Sequence, residues 1–216
     1  MRAGDCLSPN FCFVVKNHHN VTGYVLAGGK SSRMGKDKAV LSLNGSTLLE
    51  RAKAVVEQVC AKVFILGPRR LYGRFGPCCE DIYPDCGPLG GIHAALVNSD
   101  TPYSLVTAVD TPFLSPEFFD YMIERALNSS AMVTAPRIGG VVQPATAVFE
   151  RSFLPLAEAA LKSGKYKVEP VFPREQTLVL SEEDLGRFAK AGEMFENLNT
   201  PEDFERAQKR VSGRKP

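Results

Sequence analysis

No apolar run in the chain approaches the length of about 18 residues that a membrane-spanning helix needs. The sequence also has no large excess of charge of one sign, since its formal net charge is +2 over 216 residues. This balance argues against nucleic acid or an anionic membrane as a bulk partner. Any functional positive charge must therefore be local.

The first 20 residues combine one early arginine with a broken apolar stretch and no small-residue cleavage site, so no signal peptide is predicted.

Metal-binding cysteine patterns are missing as well. The six cysteines are Cys6, Cys12, Cys60, Cys78, Cys79 and Cys86. They include no CxxC pair, and the adjacent Cys78 and Cys79 have a spacing that rarely forms an unstrained disulfide. The three histidines do not stand at ligand spacing to these cysteines, which leaves a zinc site as the minor alternative. The pattern is typical of reduced thiols, and it predicts a cytoplasmic protein.

Predicted strands alternate with predicted helices along most of the chain. Short apolar runs predict strands at 21–27, 62–66, 103–109, 131–136, 144–149 and 177–180. Helical spacing of apolar residues, with caps at Thr47, Ser115 and Thr200, predicts helices between these runs. The alternation favours one α/β domain over residues 21–216, a three-layer α/β/α arrangement with a Rossmann-like, mainly parallel sheet. Residues 1–20 are predicted to be a disordered N-terminal extension.

The first predicted strand runs directly into the glycine-rich, basic stretch LAGGKSSRMGKDK at residues 26–38. Ligands of parallel α/β sheets gather at the carboxyl ends of strands, and glycines there let backbone N–H groups approach a phosphate. Arg33 and Lys38 could then neutralise a polyphosphate, whereas a solvated surface loop is the alternative that the position after a buried strand disfavours. The stretch is not a Walker A loop, because one residue too many separates Gly29 from Gly35, and the Rossmann pattern G-x-G-x-x-G is absent.

Acidic residues stand on both sides of the strand predicted at 103–109 and ahead of a Gly-Pro turn. The tripeptide DTP occurs on both sides of the strand at 103–109, and only Asp110 stands at its carboxyl end. A carboxylate there could hold Mg²⁺ together with substrate phosphates. Asp100, at the other end, is predicted to be a turn residue ahead of a proline. Asp81 and Asp85 precede a Gly-Pro turn, where either could accept hydrogen bonds from a ribose or a base; acids that solvate the loop are the equal alternative.

With these residues the chain resembles the molybdenum cofactor guanylyltransferases, the MobA-type members of the nucleotidyltransferase superfamily. LAGGKSSRMGKDK matches every specified position of the family pattern LAGG-x-S-x-R-M-G-x-D-K. GPLGGI at 87–92, VDTPFL at 109–114 and NLNTPEDF at 197–204 resemble three further family motifs in the same order. The resemblance covers roughly residues 21–210 and implies a fold like that of the nucleotide-diphospho-sugar transferases.

The resemblance implies a role for each residue that matches a family motif. The implied nucleotide-binding turn consists of Leu26, Ala27, Gly28 and Gly29. Arg33 and Lys38 would grip the triphosphate as catalytic residues, and Asp110 would bind Mg²⁺ beside them. Asp81 would bind the guanosine end, with Asp85 as the alternative if the alignment of the loop slips.

The resemblance is weaker on the acceptor side. Asn197 and Asn199 would lie near the pterin or the metal. Gly67 stands where the family often has an asparagine that contacts the nucleotide, and the stretch VVQPATAVF, which contains Gln143, departs from the family's pterin-side sequence. The implied roles are therefore better matched for the nucleotide than for its acceptor.

The implied activity is transfer of GMP from GTP to molybdopterin or the molybdenum cofactor, with release of pyrophosphate. Gly29 favours GTP, because the cytidylyltransferase relatives usually open their motif with LAAG. The resemblance also implies cofactor-insertion proteins or molybdoenzymes as protein partners. Two alternatives remain at this point: a related nucleotidyltransferase that uses CTP or another phosphate acceptor, and a non-catalytic nucleotide-binding module, to which the departures at Gly67 and Gln143 would point.

Overall fold

The computed structural model describes residues 15–28, 37–188 and 191–213. The strands in these ranges are β1 (His18–Leu26), β2 (Ser42–Leu43), β3 (Ser46–Thr47), β4 (Cys60–Leu66), β5 (Cys78–Cys79), β6 (Tyr103–Ala108), β7 (Val133–Ile138), β8 (Val141–Val142), β9 (Ala147–Glu150) and β10 (Thr177–Leu180). The α-helices are α1 (Leu48–Val56), α2 (Arg69–Tyr72), α3 (Gly87–Asn98), α4 (Pro116–Leu127), α5 (Leu154–Lys162), α6 (Glu182–Leu185), α7 (Ala191–Met194) and α8 (Pro201–Ser212). Among the described helices, none combines the length and the apolar character required to cross a membrane.

Eight of the strands in the described part of the chain form one large, mostly parallel sheet, and β2 and β3 form a separate two-stranded sheet. The order of the large sheet is β10-β7-β9-β6-β1-β4-β5, with β8 paired to the end of β7. β1 is central and pairs in parallel with β4 and β6, and β4–β5 and β7–β10 are also parallel pairs. β9 runs antiparallel between β6 and β7. The mainly parallel sheet is confirmed, and it brings the carboxyl ends of β1, β4, β5 and β6 to one edge.

Helices cover both faces of this sheet, and each face has its own hydrophobic cluster. Val25 points into the cluster shared with α1 and α4, whereas its neighbours Tyr24 and Leu26 point into the cluster shared with α3 and α5. This alternation follows from the two-residue period of a strand. Because both faces are covered, β1 reads as a continuous apolar run, which is typical of a central parallel strand. The three-layer α/β/α prediction is thus confirmed.

Several element boundaries differ from the predictions for identifiable reasons. β1 begins at His18 rather than 21, because the His18 N–H donates to Val59 O at 2.8 Å and its Nε2 lies 2.7 Å from Asp120 Oδ1. β9 begins at Ala147 rather than 144, because Thr146 N–H donates to Gln143 O at 3.1 Å and closes a turn. Contacts with distant residues therefore set the first boundary, and a local turn sets the second.

The hairpin β2–β3 has no counterpart among the predictions. Its turn contains Asn44 at φ 53° and Gly45 at φ 86°, both in the left-handed region. Asn-Gly is the dipeptide that favours such two-residue turns, so the signal was present in the sequence. By contrast, the predicted capping box of Thr47 and Glu50 is confirmed at the start of α1, directly after this hairpin.

Candidate functional site

A cavity of about 560 Å³ opens at the carboxyl ends of β1, β4 and β5. It is lined by Leu26, Gly28, Leu66, Gly67, Pro68, Arg70, Glu80, Asp81, Pro84, Asp85, Gly87 and Gly91. The edge of the sheet predicted to bind a ligand is therefore concave in this structure. Of the predicted nucleotide-binding residues, Leu26, Gly28 and Asp81 line it, as do the weaker candidates Gly67 and Asp85.

Glycines let the segments that form the wall of this cavity pack closely against one another. A Cβ on Gly91 would lie 2.6 Å from Leu26 Cδ2, and a Cβ on Gly90 would lie 2.8 Å from the backbone oxygen of Tyr83. Gly67 has φ +152°, and its Cβ would meet the ring of Tyr72 at 2.8 Å. The family asparagine therefore cannot replace Gly67 in this conformation, because the backbone angle and the tyrosine ring both exclude a side chain.

Glu80, Asp81 and Asp85 are the acidic residues that line the cavity, and the last two are predicted site residues. The Asp81 carboxylate lies near the first turn of α3, where its Oδ2 would be 3.5 Å from a Cβ on Gly90. More than a third of Asp81 stays accessible to solvent, yet the surrounding wall displaces enough water to raise the pKa of its carboxyl. Asp85 has φ 61°, a left-handed conformation that aspartate tolerates better than most residues. Both acids therefore stand where a ribose or a base could donate to them.

The backbone of the glycine turn is held by the neighbouring strand. The N–H groups of Ala27 and Gly28 both donate to Leu66 O, at 3.1 and 3.2 Å. The phosphate-nest role predicted for the Gly28 N–H is not what this geometry provides, because that donor is already used. Gly28 instead contributes an open stretch of wall, and the predicted residues Gly29 and Arg33 lie outside the described residues.

Lys38, Asp110 and Asn199 meet beside the cavity. Lys38 Nζ donates to Asn199 Oδ1 at 2.7 Å and lies 3.8 Å from Asp110 Oδ2. Lys38 opens a short 3₁₀ helix after the basic stretch, Asp110 follows β6, and Asn199 precedes α8. Three predicted residues, up to 161 positions apart, thus form one cluster. Val109 N–H donates to Leu26 O at 3.3 Å and ties this cluster to the cavity.

The cluster combines a partly buried acid with a partly buried base. The Asp110 side chain is 28% exposed and that of Lys38 is 17% exposed. Burial raises the pKa of the Asp110 carboxyl, and the ammonium group of Lys38 offsets part of that rise. No group of three or more His, Cys, Asp or Glu side chains in the described part of the chain is placed to hold a metal ion.

The C-terminal motif is folded onto Asp110 through its backbone. Leu198 N–H donates to Asp110 O at 2.9 Å. Asp203 Oδ2 accepts from the N–H groups of Asn199 and Thr200, at 2.9 and 2.8 Å, and so fixes the segment that carries the Lys38 contact. Asn197 points elsewhere, because its Nδ2 donates to Phe195 O at 3.4 Å. The structure therefore brings Asn199, rather than Asn197, to the predicted site.

Other residues considered in the sequence fall outside the site. Asp100 is exposed and pairs with Lys62 at the opposite end of β6, which confirms its placement in a turn. His93 is buried in α3 against the edge of Tyr83. Asp37 accepts hydrogen bonds from Ala39 N–H and from the hydroxyl of Tyr72. The described cysteines Cys60, Cys78, Cys79 and Cys86 are free thiols, as predicted.

Comparison with known proteins gives consistent matches over most of the chain. Residues 23–177 match the model of the MobA-like NTP transferase domain family. The probable molybdenum cofactor guanylyltransferase of Pelotomaculum thermopropionicum is 37% identical over 189 residues, which cover 87% of this chain and 91% of the relative. The molybdenum cofactor guanylyltransferase of Vibrio atlanticus is 35% identical over 83% of this chain and 91% of its own length.

Solved structures agree with this relationship. Molybdopterin-guanine dinucleotide biosynthesis protein A of Archaeoglobus fulgidus superposes with a TM-score of 0.79 at 25% identity, and the match covers 89% of this chain and all (100%) of that one. The 4-diphosphocytidyl-2C-methyl-D-erythritol synthase of Anaerococcus prevotii gives a TM-score of 0.67 at 15% identity, over 90% and 96% of the two chains. The second match concerns the fold alone.

Proposed function

The chain belongs to the MobA-like NTP transferase family, and on that premise we propose that it transfers GMP from GTP to molybdopterin or its molybdenum-loaded form. The products are the guanine dinucleotide form of the cofactor and pyrophosphate. The observation that carries this proposal is the Lys38–Asp110–Asn199 cluster beside a cavity at the carboxyl ends of the strands. Relatives named as guanylyltransferases support the choice of reaction.

The reaction needs no nucleophile from the protein. An oxygen of the terminal phosphate of molybdopterin attacks the α-phosphorus of GTP in line, and the bond from that phosphorus to the bridging oxygen of the β-phosphate breaks. The electron pair leaves with pyrophosphate. The protein acts by positioning the two phosphates and by stabilising charge in the transition state. Lys38 is the described residue placed to do the latter, because its ammonium group is held by Asn199 and stays close to Asp110.

We assign the metal site to Asp110, as part of the proposal. Asp110 offers one carboxylate beside Lys38, which fits Mg²⁺ because this ion is commonly held by one or two carboxylates plus substrate phosphates. When bound there, Mg²⁺ would neutralise phosphate charge and favour departure of pyrophosphate. Lys38 competes for the same carboxylate at 3.8 Å, so a bound triphosphate would give both cations further partners.

The cavity is assigned to the guanosine end of GTP. Asp81 and Asp85 offer acceptors to the amino group and N1–H of guanine or to ribose hydroxyls. Arg70 is the one basic side chain among the described residues that line the cavity, and arginine pairs well with the O6 and N7 acceptors of guanine. The two aspartates could thus bind the hydrogen-bond donors of guanine, and Arg70 could bind its acceptors.

The decisive experiment measures pyrophosphate released from GTP with and without molybdopterin. We expect release only when GTP, Mg²⁺ and molybdopterin are all present, and the guanine dinucleotide should appear in equal amount. Calorimetry with GTP, CTP and ATP tests the base, with GTP expected to bind most tightly. Tighter binding of CTP would move the chain to the cytidylyltransferases. Nucleotide binding without transfer would favour a non-catalytic module.

Compartment and protein partners are part of the same proposal. The free thiols Cys60, Cys78, Cys79 and Cys86 are in the state that a reducing compartment maintains, which supports a place in the cytoplasm. The product is a cofactor for other proteins, so a molybdoenzyme or an insertion protein must receive it. Co-purification of the dinucleotide-loaded protein with such an acceptor is the test, and free release of the product to solvent would contradict a handover.

A further inference from the structure

Tyr72 connects the two parts of the site, although it neither lines the cavity nor belongs to the charged cluster. It ends the short helix α2, and its side chain is buried with 3% exposure. Its hydroxyl lies 2.7 Å from Asp37 Oδ2 and 3.1 Å from Ala27 O. One phenolic hydrogen is thus shared between the turn after β1 and the residue that precedes Lys38.

Asp37 carries this contact to Lys38. Its second carboxyl oxygen accepts from Ala39 N–H at 3.0 Å, so Asp37 caps the short 3₁₀ helix Lys38–Val40. Both carboxyl oxygens therefore have a partner, one from the helix and one from Tyr72. The backbone of Lys38 lies between these two restraints, and its ammonium group reaches Asn199 and Asp110 at the other end of the side chain.

The position of the tyrosine ring depends on Gly67. A Cβ on Gly67 would lie 2.8 and 2.9 Å from two ring carbons of Tyr72. The left-handed backbone of Gly67, at φ +152°, is also one that side chains rarely adopt. Burial and the neighbouring Asp37 raise the pKa of the Tyr72 phenol, so it remains a hydrogen-bond donor at neutral pH.

We propose that Tyr72 is a positioning residue, which holds Lys38 at the triphosphate through Asp37. The inference rests on the proposed guanylyl transfer for its reaction, but the contacts that carry it are independent of the acceptor. A residue in this role affects the reaction only while Lys38 is present. A tyrosine that merely fills the core would affect stability in the same way whether or not Lys38 is present.

The test compares Tyr72→Phe with the wild type. This variant removes the hydroxyl and keeps the ring that packs on Gly67. We expect affinity for Mg²⁺-GTP and turnover with molybdopterin each to fall by about 10-fold or more, because misplacing a reacting group by about 1 Å can cost on the order of 10²-fold. Asp37→Ala breaks the same link from the other side and is expected to give a loss of similar size.

Tyr24→Phe is the matched control. Tyr24 is also fully buried, but its ring belongs to the cluster on the opposite face of the sheet. Its hydroxyl makes no hydrogen bond of normal geometry with the described residues, although Ser99 lies near enough to influence the Tyr24 pKa. We expect Tyr24→Phe to bind GTP and turn over like the wild type.

A double-mutant cycle separates positioning from packing. In a Lys38→Ala background, Tyr72→Phe should cause no further loss of GTP affinity, because residues that act through one another are not additive. Unchanged affinity and turnover in Tyr72→Phe, or an undiminished loss in the Lys38→Ala background, would overturn the inference. Wild-type protein that binds GTP without transferring it overturns the proposed reaction alone, since the tyrosine test is read from affinity. Wild-type protein that binds no GTP overturns both.

Discussion

The nucleotide side and the hairpin side of the sheet's carboxyl edge are built in different ways. The nucleotide side is the cavity wall around Gly67, Gly90 and Gly91, where an added Cβ would come within 2.6–2.9 Å of other atoms. The hairpin side is the β7–β8 turn at Gly139 and Gly140, where an added Cβ would find nothing within 4 Å. Glycine is required by close packing on the first side and only by positive φ on the second.

The difference bears on how each ligand is recognised. A packed wall selects by shape, because its closely packed atoms have little room to move. The hairpin side presents Val141 with 60% exposure to solvent, and it can recognise an acceptor only through the side chains that it displays. The sequence resemblance is also weaker here than around the cavity. Under the proposed function, shape would therefore define the nucleotide half of the site, and surface chemistry would define the acceptor half.

The largest effect is expected where the two sides meet, at Lys38 and Asp110. Removing one charged contact from a transition state commonly costs on the order of 10²–10³ in rate. Lys38→Ala and Asp110→Ala should each lower turnover by about this factor, measured as pyrophosphate release at saturating GTP and Mg²⁺.

Asp100→Ala is the matched control for this loss. Asp100 belongs to the other DTP tripeptide, at the opposite end of β6, and is exposed in an ion pair with Lys62. Turnover of this variant should equal that of the wild type. A soluble Asp110→Ala protein with normal turnover would refute the metal assignment, and an inactive Asp100→Ala protein would show that the strand ends are not functionally distinct.

The next largest effect is expected from a substitution that disturbs the close packing of the cavity wall. Gly90→Ala should destabilise the protein by about 2 kcal/mol, because overpacking typically costs about 1–3 kcal/mol. The new Cβ would meet the backbone oxygen of Tyr83 at 2.8 Å. Affinity for GTP should fall as well, because the displaced segment also carries Asp81. Urea unfolding and GTP calorimetry measure the two effects.

Gly192→Ala in α7 is the control for the change of residue type. Among the described residues, nothing beyond its chain neighbours and its own helix backbone lies within 4 Å of a Cβ at Gly192. Alanine is the better helix former by about 0.5–1 kcal/mol, so this variant should be more stable than the wild type. If both alanine variants were stabilising, the cavity wall would not be closely packed and the comparison of the two sides would fail.

Motifs that are local in sequence predicted the cavity side well. The apolar run that leads into LAGG predicts a strand end, and the Gly-Pro pair at 87–88 marks the start of α3. Both positions are set by neighbouring residues. Lys38 and Asp110 were predicted as site residues because each follows a strand in a parallel sheet. Local patterns and one rule of topology were sufficient for this part.

Contacts between distant segments could not be predicted in the same way. The hydroxyl of Tyr72 reaches Asp37 across 35 positions, and no pattern around Tyr72 indicates such a partner. From the sequence alone, Gly67 is interpreted as the loss of a family asparagine. The structure shows that the ring of Tyr72 occupies the space a side chain would need. Likewise, the sequence treats Asn197 and Asn199 alike, and only the fold turns Asn199 toward Lys38.

A smaller effect should distinguish two adjacent arginines. Arg70 lines the cavity, whereas the side chain of Arg69 does not, and Arg69 is anchored by its backbone N–H, which donates to Glu80 Oε1 at 2.8 Å. Arg70→Ala should weaken GTP binding by about 10-fold, the low end of a paired contact to guanine. Arg69→Ala should leave GTP affinity unchanged. Equal losses would mean that the arginines act through general charge rather than by contact with the base.

The smallest expected effect distinguishes Asp81, an acid of the cavity, from Asp184, an acid that stabilises the fold near β7. Asp184 completes the capping box at the start of α6, where Ser181 is the N-cap, and the Ser181 N–H and hydroxyl, together with Arg125, lower the pKa of Asp184 to about 2. Asp81 has the opposite shift, because burial raises the pKa of its carboxyl. Hydrogen bonds favour the charged form of the first acid, and loss of water disfavours the charged form of the second.

The two shifts predict opposite dependences of stability on pH. For Asp184 the folded pKa lies below the unfolded one, so its stabilisation is present above about pH 4 and is lost as the pH falls toward 2. Asp184→Asn should therefore cost about 1 kcal/mol at pH 7, the usual size of a helix-cap effect, and less in acid. For Asp81 the native state binds the proton more tightly, so Asp81→Asn should be neutral or stabilising at pH 7 in the absence of nucleotide. Unfolding curves at several pH values measure both. A loss of stability in Asp81→Asn comparable to that in Asp184→Asn would show that Asp81 belongs to the scaffold and not to the binding site.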